Sequence, residues 1–279
     1  MIKKVMFIIL FLINFLFGES LENGINAFNK GDYEKAFTIW EDLAKKGNKV
    51  AQSNLGYIYS KGLGVKINFK QSFEWYEKAF LQYEDLAKKG DAEAQNKIGD
   101  MYFYEQGVGQ DYKKAALWYE KAANQGHKIA QYNTAYLYKK SYKSEKAIKW
   151  YEKSANQGYR DAQYEMGIIY VNGLNPIKSD LNKAINWFEK AANQGHIESQ
   201  NILGRLYKYQ DPKKSFKWYE KAANQGSPEA EYEIGLFYYQ GIIVEQDKNK
   251  AIQLWKKACI AQDQSACEYY RIYGTTPKR

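Results

Sequence analysis

The sequence predicts an all-α chain folded as a solenoid of stacked antiparallel helix hairpins. Three observations carry that expectation. The string W-Y-E-K-A-A-N-Q-G stands at Trp118–Gly126 and Trp218–Gly226 and, with one change each, at Trp150–Gly158 and Trp187–Gly195, which is the mark of a repeat array. A second string follows such glycines, at Ala51–Tyr59, Ala94–Tyr102, Ala162–Tyr170 and Ala230–Tyr238. The third is composition: 16% aromatic residues with only 4 Pro in 279 residues suits repeated packing of large rings on uninterrupted helices.

In chain order, residues 1–18 read as a signal peptide. Lys3 and Lys4 form a basic start, and the apolar run Val5–Phe17, broken by Asn14, is too short for a membrane span of about 20 residues. Gly18 is the expected cleavage point, and the alternative is an uncleaved anchor. The net charge of +9 falls to +7 without this segment, because two lysines and no acid leave with it. The charges are interspersed along the repeats, which fits a solvated surface and argues against a nucleic-acid stripe.

Residues 19–47 read as an N-terminal capping hairpin, 48–273 as an array of about six repeats, and 274–279 as a short basic tail. In the first string Ala115, Trp118, Tyr119 and Ala122 fall on one helical face, so this segment is the second helix of a hairpin, helix B. Helix A is the second string, whose Ala, aliphatic and Tyr positions recur every four residues around a mid-helix Gly. Glycine there costs about 1 kcal/mol in helix propensity, which implies close approach of another helix. From the Trp of one helix B to the Tyr of the next helix A the spacing is always 20 residues (Trp118 to Tyr138, Trp150 to Tyr170, Trp187 to Tyr207, Trp218 to Tyr238). From that Tyr to the next Trp it runs from 11 (Tyr207 to Trp218) to 17 (Tyr238 to Trp255), so the B-to-A corner is the fixed joint and the A-to-B loop the tolerant one. Between Trp75 and Tyr102 the spacing is 27; the extra seven residues are close to two turns, and one lengthened helix over 69–89 is expected.

The pattern A-x-x-x-L-G-x-x-Y-x-x-G-x-G-V at Ala51–Val65, nearly repeated at Ala94–Val108, and K-A-x-x-W-Y-E-K-A from Lys114 resemble the Sel-like repeat family of the tetratricopeptide-repeat superfamily. The resemblance implies a right-handed solenoid that binds proteins or peptides on its concave surface. Residues 20–47 resemble an ordinary tetratricopeptide hairpin, and the repeats around Tyr138 and Tyr207 depart by lacking the Gly-x-Gly loop.

Cys259 and Cys267 are the only cysteines, and they stand at the fixed corner where other repeats carry Ala and Gln, as at Ala123 and Gln131. An even count at a tight corner of an exported chain points to a disulfide. Their placement is similar to that in the Helicobacter cysteine-rich protein family of secreted Sel-like repeat proteins. That resemblance implies an alternative, weak β-lactam binding or hydrolysis. Yet no serine is followed by lysine three residues on, as a serine β-lactamase requires, and the only histidines, His127 and His196, follow corner glycines. No cofactor or metal is expected, and the chain reads as a non-enzyme; a purely structural envelope protein is the remaining reading.

Transferring the tetratricopeptide ligand-facing positions gives Ser53, Tyr57 and Ser60; Asn96, Asp100 and Phe103; Tyr132, Tyr136 and Lys139; Tyr164, Ile168 and Val171; Asn201, Arg205 and Lys208; and Tyr232, Leu236 and Tyr239. Tyr132, Tyr136, Tyr164 and Tyr232 are expected to form a partly exposed strip suited to a peptide, and Lys139, Arg205 and Lys208 to attract an acidic segment of the partner. The core rings are expected to be the Trp row (Trp118, Trp150, Trp187 and Trp218) and the final Tyr of each helix A.

Overall fold

The computed structural model describes residues 21–274. The expected signal peptide lies outside them. Fifteen helices and no strand occur among the described residues: α1 (21–29), α2 (Tyr33–Lys45), α3 (Lys49–Lys61), α4 (Phe69–Lys88), α5 (Ala92–Phe103), α6 (Tyr112–Asn124), α7 (Lys128–Lys140), α8 (Ser144–Asn156), α9 (Arg160–Asn172), α10 (Leu181–Asn193), α11 (Ile197–Tyr207), α12 (Pro212–Ala223), α13 (Pro228–Gln240), α14 (Lys248–Ile260) and α15 (Gln264–Gly274). The chain divides within α7 into an N-terminal unit ending at Thr134 and a C-terminal unit starting at Ala135. From α2 to α6 in the first unit and from α8 to α15 in the second, each helix packs on its chain neighbours, the pattern of stacked hairpins. The long α4 is one unbroken helix, as the seven-residue excess required.

Most of the helices start where a polar side chain takes up a free N–H; α8 and α9, opened by Lys143 and Tyr159, have no such bond. Asp32, Asn68, Asp111, Asp180, Asp211 and Asp247 each accept from the backbone N–H three residues on and open α2, α4, α6, α10, α12 and α14. Each B-to-A corner is closed by the same two backbone bonds. At the first, Gly47 N–H donates to Ala44 O and Asn48 N–H to Leu43 O, both 3.0 Å; at the last, Gln262 N–H donates to Cys259 O at 2.9 Å and Asp263 N–H to Ala258 O at 3.0 Å. All seven corner residues have positive φ, from 68° at Gln262 to 99° at Gly90, which explains glycine at six of them.

A buried amide ladder reinforces the corners. Gln52, Gln95, Gln131, Gln163 and Gln200 donate Nε2 to the carbonyls of Ala44, Ala87, Ala123, Ala155 and Ala192 at 2.9–3.3 Å. Four of them also accept from a glutamine of the next helix B: Gln82 to Gln52, Gln125 to Gln95, Gln194 to Gln163 and Gln225 to Gln200, at 2.7–2.8 Å. One side chain thus ties three consecutive helices and leaves no amide group unsatisfied. In α13 the ladder position is Glu231, buried and ion-paired with Lys257; in α15 it is Cys267, bonded to Cys259 with Cα atoms 4.5 Å apart.

The core register differs from expectation by one residue. The fully enclosed ring of helix B follows the Trp: Tyr119, Tyr151, Phe188 and Tyr219, with Trp255 in the same place in α14 rather than in the Trp row. These rings explain the mid-helix glycines. A Cβ on Gly56, Gly99, Gly167, Gly204 or Gly235 would fall within 3.0 Å of the ring of Tyr76, Tyr119, Phe188, Tyr219 or Trp255, so each ring packs directly on the helix A backbone. Trp118, Trp150 and Trp187 are only half-buried, and Trp218 alone of that row is buried. Each carries the ammonium of the lysine three residues on over its ring, at 4.0–4.3 Å. The final tyrosines of helix A are half-buried too, covered by a lysine in the same manner: Lys214 lies 3.9 Å from the Tyr207 ring and Lys250 4.0 Å from that of Tyr238. Both rows are therefore amphipathic rims of the core.

Candidate functional site

The expected ligand-facing residues separate into three groups once neighbours are counted. Asn96 and Asn201 are buried and serve the stack: Asn133 Nδ2 donates to Asn96 Oδ1 at 3.1 Å, and Asn201 Nδ2 to Ser227 Oγ at 3.0 Å. Asp100 accepts from the Tyr119 hydroxyl at 2.9 Å and from Asn133 Nδ2 at 3.4 Å, and burial pushes its carboxyl above the usual range. The histidines also belong to the scaffold. Nδ1 of His127 accepts from Ala130 N–H, and Nδ1 of His196 from Ser199 N–H, both at 3.1 Å, so each imidazole caps the next helix.

The cations expected to attract an acidic segment have partners within the chain. Lys139 meets Glu165 at 2.8 Å, Lys208 meets Glu233 at 2.7 Å, and Arg205 lies 3.3 Å from Glu198 and 3.4 Å from Glu229. Every one of these charges is answered by a glutamate of its own unit: Glu165, Glu233 and Glu229 come from the next helix A, and Glu198 from the helix that carries Arg205.

The aromatic positions form the third group. Tyr132, Tyr136, Tyr164, Tyr232 and Tyr239 are half-buried. Tyr164 stacks on His196 with centroids 4.5 Å apart, and Tyr232 meets Tyr269 edge-on at 5.4 Å. Tyr239 packs 5.4 Å from Trp255 and 4.8 Å from Tyr273. Phe103 packs on Tyr104 and Tyr112, at 4.7 and 5.2 Å. Tyr57 stands apart, with 42% of its surface exposed.

Tyr57 opens onto a cleft of about 750 Å³ inside the N-terminal unit. Its walls are the end of α3 (Tyr57, Ser60, Lys61), the first half of α4 (Phe69, Ser72, Phe73, Tyr76) and the loop after α5 (Tyr104, Glu105, Gln106). Phe69, Phe73 and Tyr104 expose 72%, 45% and 63% of their surface. The loop wall is set by Gly107, with φ +71°; a Cβ there would lie within 3.0 Å of the Tyr76–Glu77 backbone, so only glycine lets the loop seat on α4. A corresponding cleft of about 390 Å³ in the C-terminal unit lies among Lys208, Tyr209, Pro212, Glu233, Leu236 and Ile242, where the Lys208–Glu233 pair is already closed. Phe69, Phe73 and Tyr104 were not among the expected site residues, which were all taken from helix A offsets. Their signal was present: Phe69 opens helix B off the core stripe, a place with no packing role.

Among the described residues no group of three or more His, Cys, Asp or Glu could hold a metal ion, and no helix is long and apolar enough to cross a membrane.

Stacked hairpins with fixed corners and surface clefts define a helical repeat scaffold. Six consecutive stretches, 49–82, 92–127, 128–159, 160–196, 197–227 and 228–263, match the Sel1 repeat, and the chain belongs to that family. A Sel1 repeat protein from Oxalobacter formigenes is 30% identical, covers 86% of this chain and 99% of its own, and superposes with a TM-score of 0.64. A protective antigen present in uropathogenic Escherichia coli strains, with an SLR fold, is 27% identical with a TM-score of 0.62; the match takes in 93% of this chain but 65% of that one. An immunity protein from Pseudomonas aeruginosa, 19% identical over 71% of this chain and 75% of its own, shares the fold with a TM-score of 0.50. No curated protein matched.

Proposed function

We propose that this chain is a peptide- or protein-binding scaffold of the cell envelope or the extracellular space, and that it binds through the helix A surface and the clefts at its A-to-B loops. One observation carries the reading: Tyr57, Phe69, Phe73 and Tyr104 expose large rings around a single cleft, although each hairpin has a neighbour on which to bury them. A contiguous aromatic patch on a soluble surface marks an interaction site. The location is supported by the basic-then-apolar residues 1–18, by the Cys259–Cys267 bond, which persists in oxidising compartments, and by the likeness to a protective antigen.

The test has two arms. The chain expressed with its own leader should be recovered outside the cytosol and begin after Gly18; cytosolic protein retaining residues 1–18 would refute the location. Capture from envelope fractions should fall about tenfold for a Tyr57→Ala, Phe73→Ala variant of unchanged helical content. Undiminished capture would refute the cleft as the binding surface.

A further inference from the structure

We propose that the cleft of the N-terminal unit takes a short partner segment that bears two large apolar side chains beside a carboxylate, with Lys61 as the partner of that carboxylate. The inference rests on the peptide-binding reading above and adds the chemistry of the bound segment.

The hydrogen-bonding groups of the cleft wall are mostly spent on the protein itself. Ser60 Oγ donates to Tyr57 O and Ser72 Oγ to Gly56 O, both at 2.7 Å, while Gln106 Nε2 donates to the Tyr76 hydroxyl at 3.4 Å. What the cleft offers is apolar area and two charges. Lys61 lines it from α3 and Glu105 from the α5 side, and neither is in an ion pair among the described residues. This distinguishes the site from the other cleft, where Lys208 is held 2.7 Å from Glu233. Lys66 and Lys70, exposed and also without an ion pair among the described residues, flank Phe69 in the chain, so the α3–α4 edge is positive. A carboxylate is attracted to that edge and repelled from Glu105, which sets the direction of the bound segment. Rings supply the affinity and the charges the selectivity. A volume of about 750 Å³ has room for the side chains of a short segment.

The full chain, immobilised, is panned against a phage-displayed library of random nonapeptides. Wild type is expected to enrich peptides with neighbouring large apolar residues and Asp or Glu. Phe69→Ala, which removes a ring outside the core, should lower recovery about tenfold. Lys61→Glu should exchange the enriched acid for Lys or Arg while helical content stays unchanged. Absence of a consensus, or one that is the same for wild type and both variants, overturns the proposal. If envelope capture is lost in the Tyr57→Ala, Phe73→Ala variant while panning shows no acid preference, the binding reading stands and the carboxylate chemistry falls. If capture is insensitive to those substitutions, the cleft reading itself has failed.

Discussion

Asp100 and His196 titrate in opposite senses, and both consequences can be measured. Burial raises the Asp100 carboxyl above its ordinary value, so in the window just above about pH 4 the folded chain holds a proton that the unfolded chain has released. Stability from this site therefore falls as pH rises through that window, and Asp100→Asn should remove the slope and stabilise the N-terminal unit at neutral pH. A midpoint of urea unfolding at about pH 7 no higher than wild type would contradict this. Burial lowers the His196 imidazole instead, and its Nδ1 must stay unprotonated to accept from Ser199 N–H. Here the unfolded state binds the extra proton, so stability is lost as pH falls from about 6.5. His196→Asn keeps an N-cap acceptor and should flatten the decline in stability expected between about pH 7 and pH 5, measured by denaturant unfolding followed by far-UV circular dichroism.

At the scale of the helix, the ring that matters most for packing is the one after the tryptophan. Phe188 is fully enclosed against Gly167, and Phe188→Ala should cost about 3–5 kcal/mol. Trp187 is half in solvent with Lys190 4.0 Å from its ring, so Trp187→Ala should cost less than half as much. Denaturant titration of the two variants decides the order, and equal losses would reject the assignment. Periodicity could not separate the two residues: Trp187 and Phe188 both fall on the apolar stripe, 100° apart on the helix. Only the position of the neighbouring helix A, brought close by its glycine, selects the second of them.

For the molecule as a whole, the last hairpin replaces an amide rung with a covalent one. Cys267 occupies the place of the ladder glutamine and Cys259 that of the alanine whose carbonyl it meets. Reduction should raise the intact mass by two hydrogens and weaken the terminal hairpin by about 2 kcal/mol. The double substitution Cys259→Ala, Cys267→Gln should recover part of that loss by restoring the rung. A double variant no more stable than the reduced protein would show that the corner is not equivalent to the others. A terminal hairpin has one neighbour to pack on, which makes it the place where a cross-link matters most.

The repeat strings by themselves determined the helices, the invariant B-to-A corner and the unbroken α4, because each depends on periodicity and spacing within about one hairpin. The tertiary structure decided what depends on the neighbouring repeat. It set the depth of Trp187 against Phe188 and gave Lys139, Arg205 and Lys208 their glutamate partners. It also brought Phe69, Phe73 and Tyr104 around one cleft with Tyr57 of helix A. Those three rings come from α4 and from the loop after α5, and their convergence follows from the seating of Gly107 on α4, a contact between residues about 30 apart that no local pattern encodes.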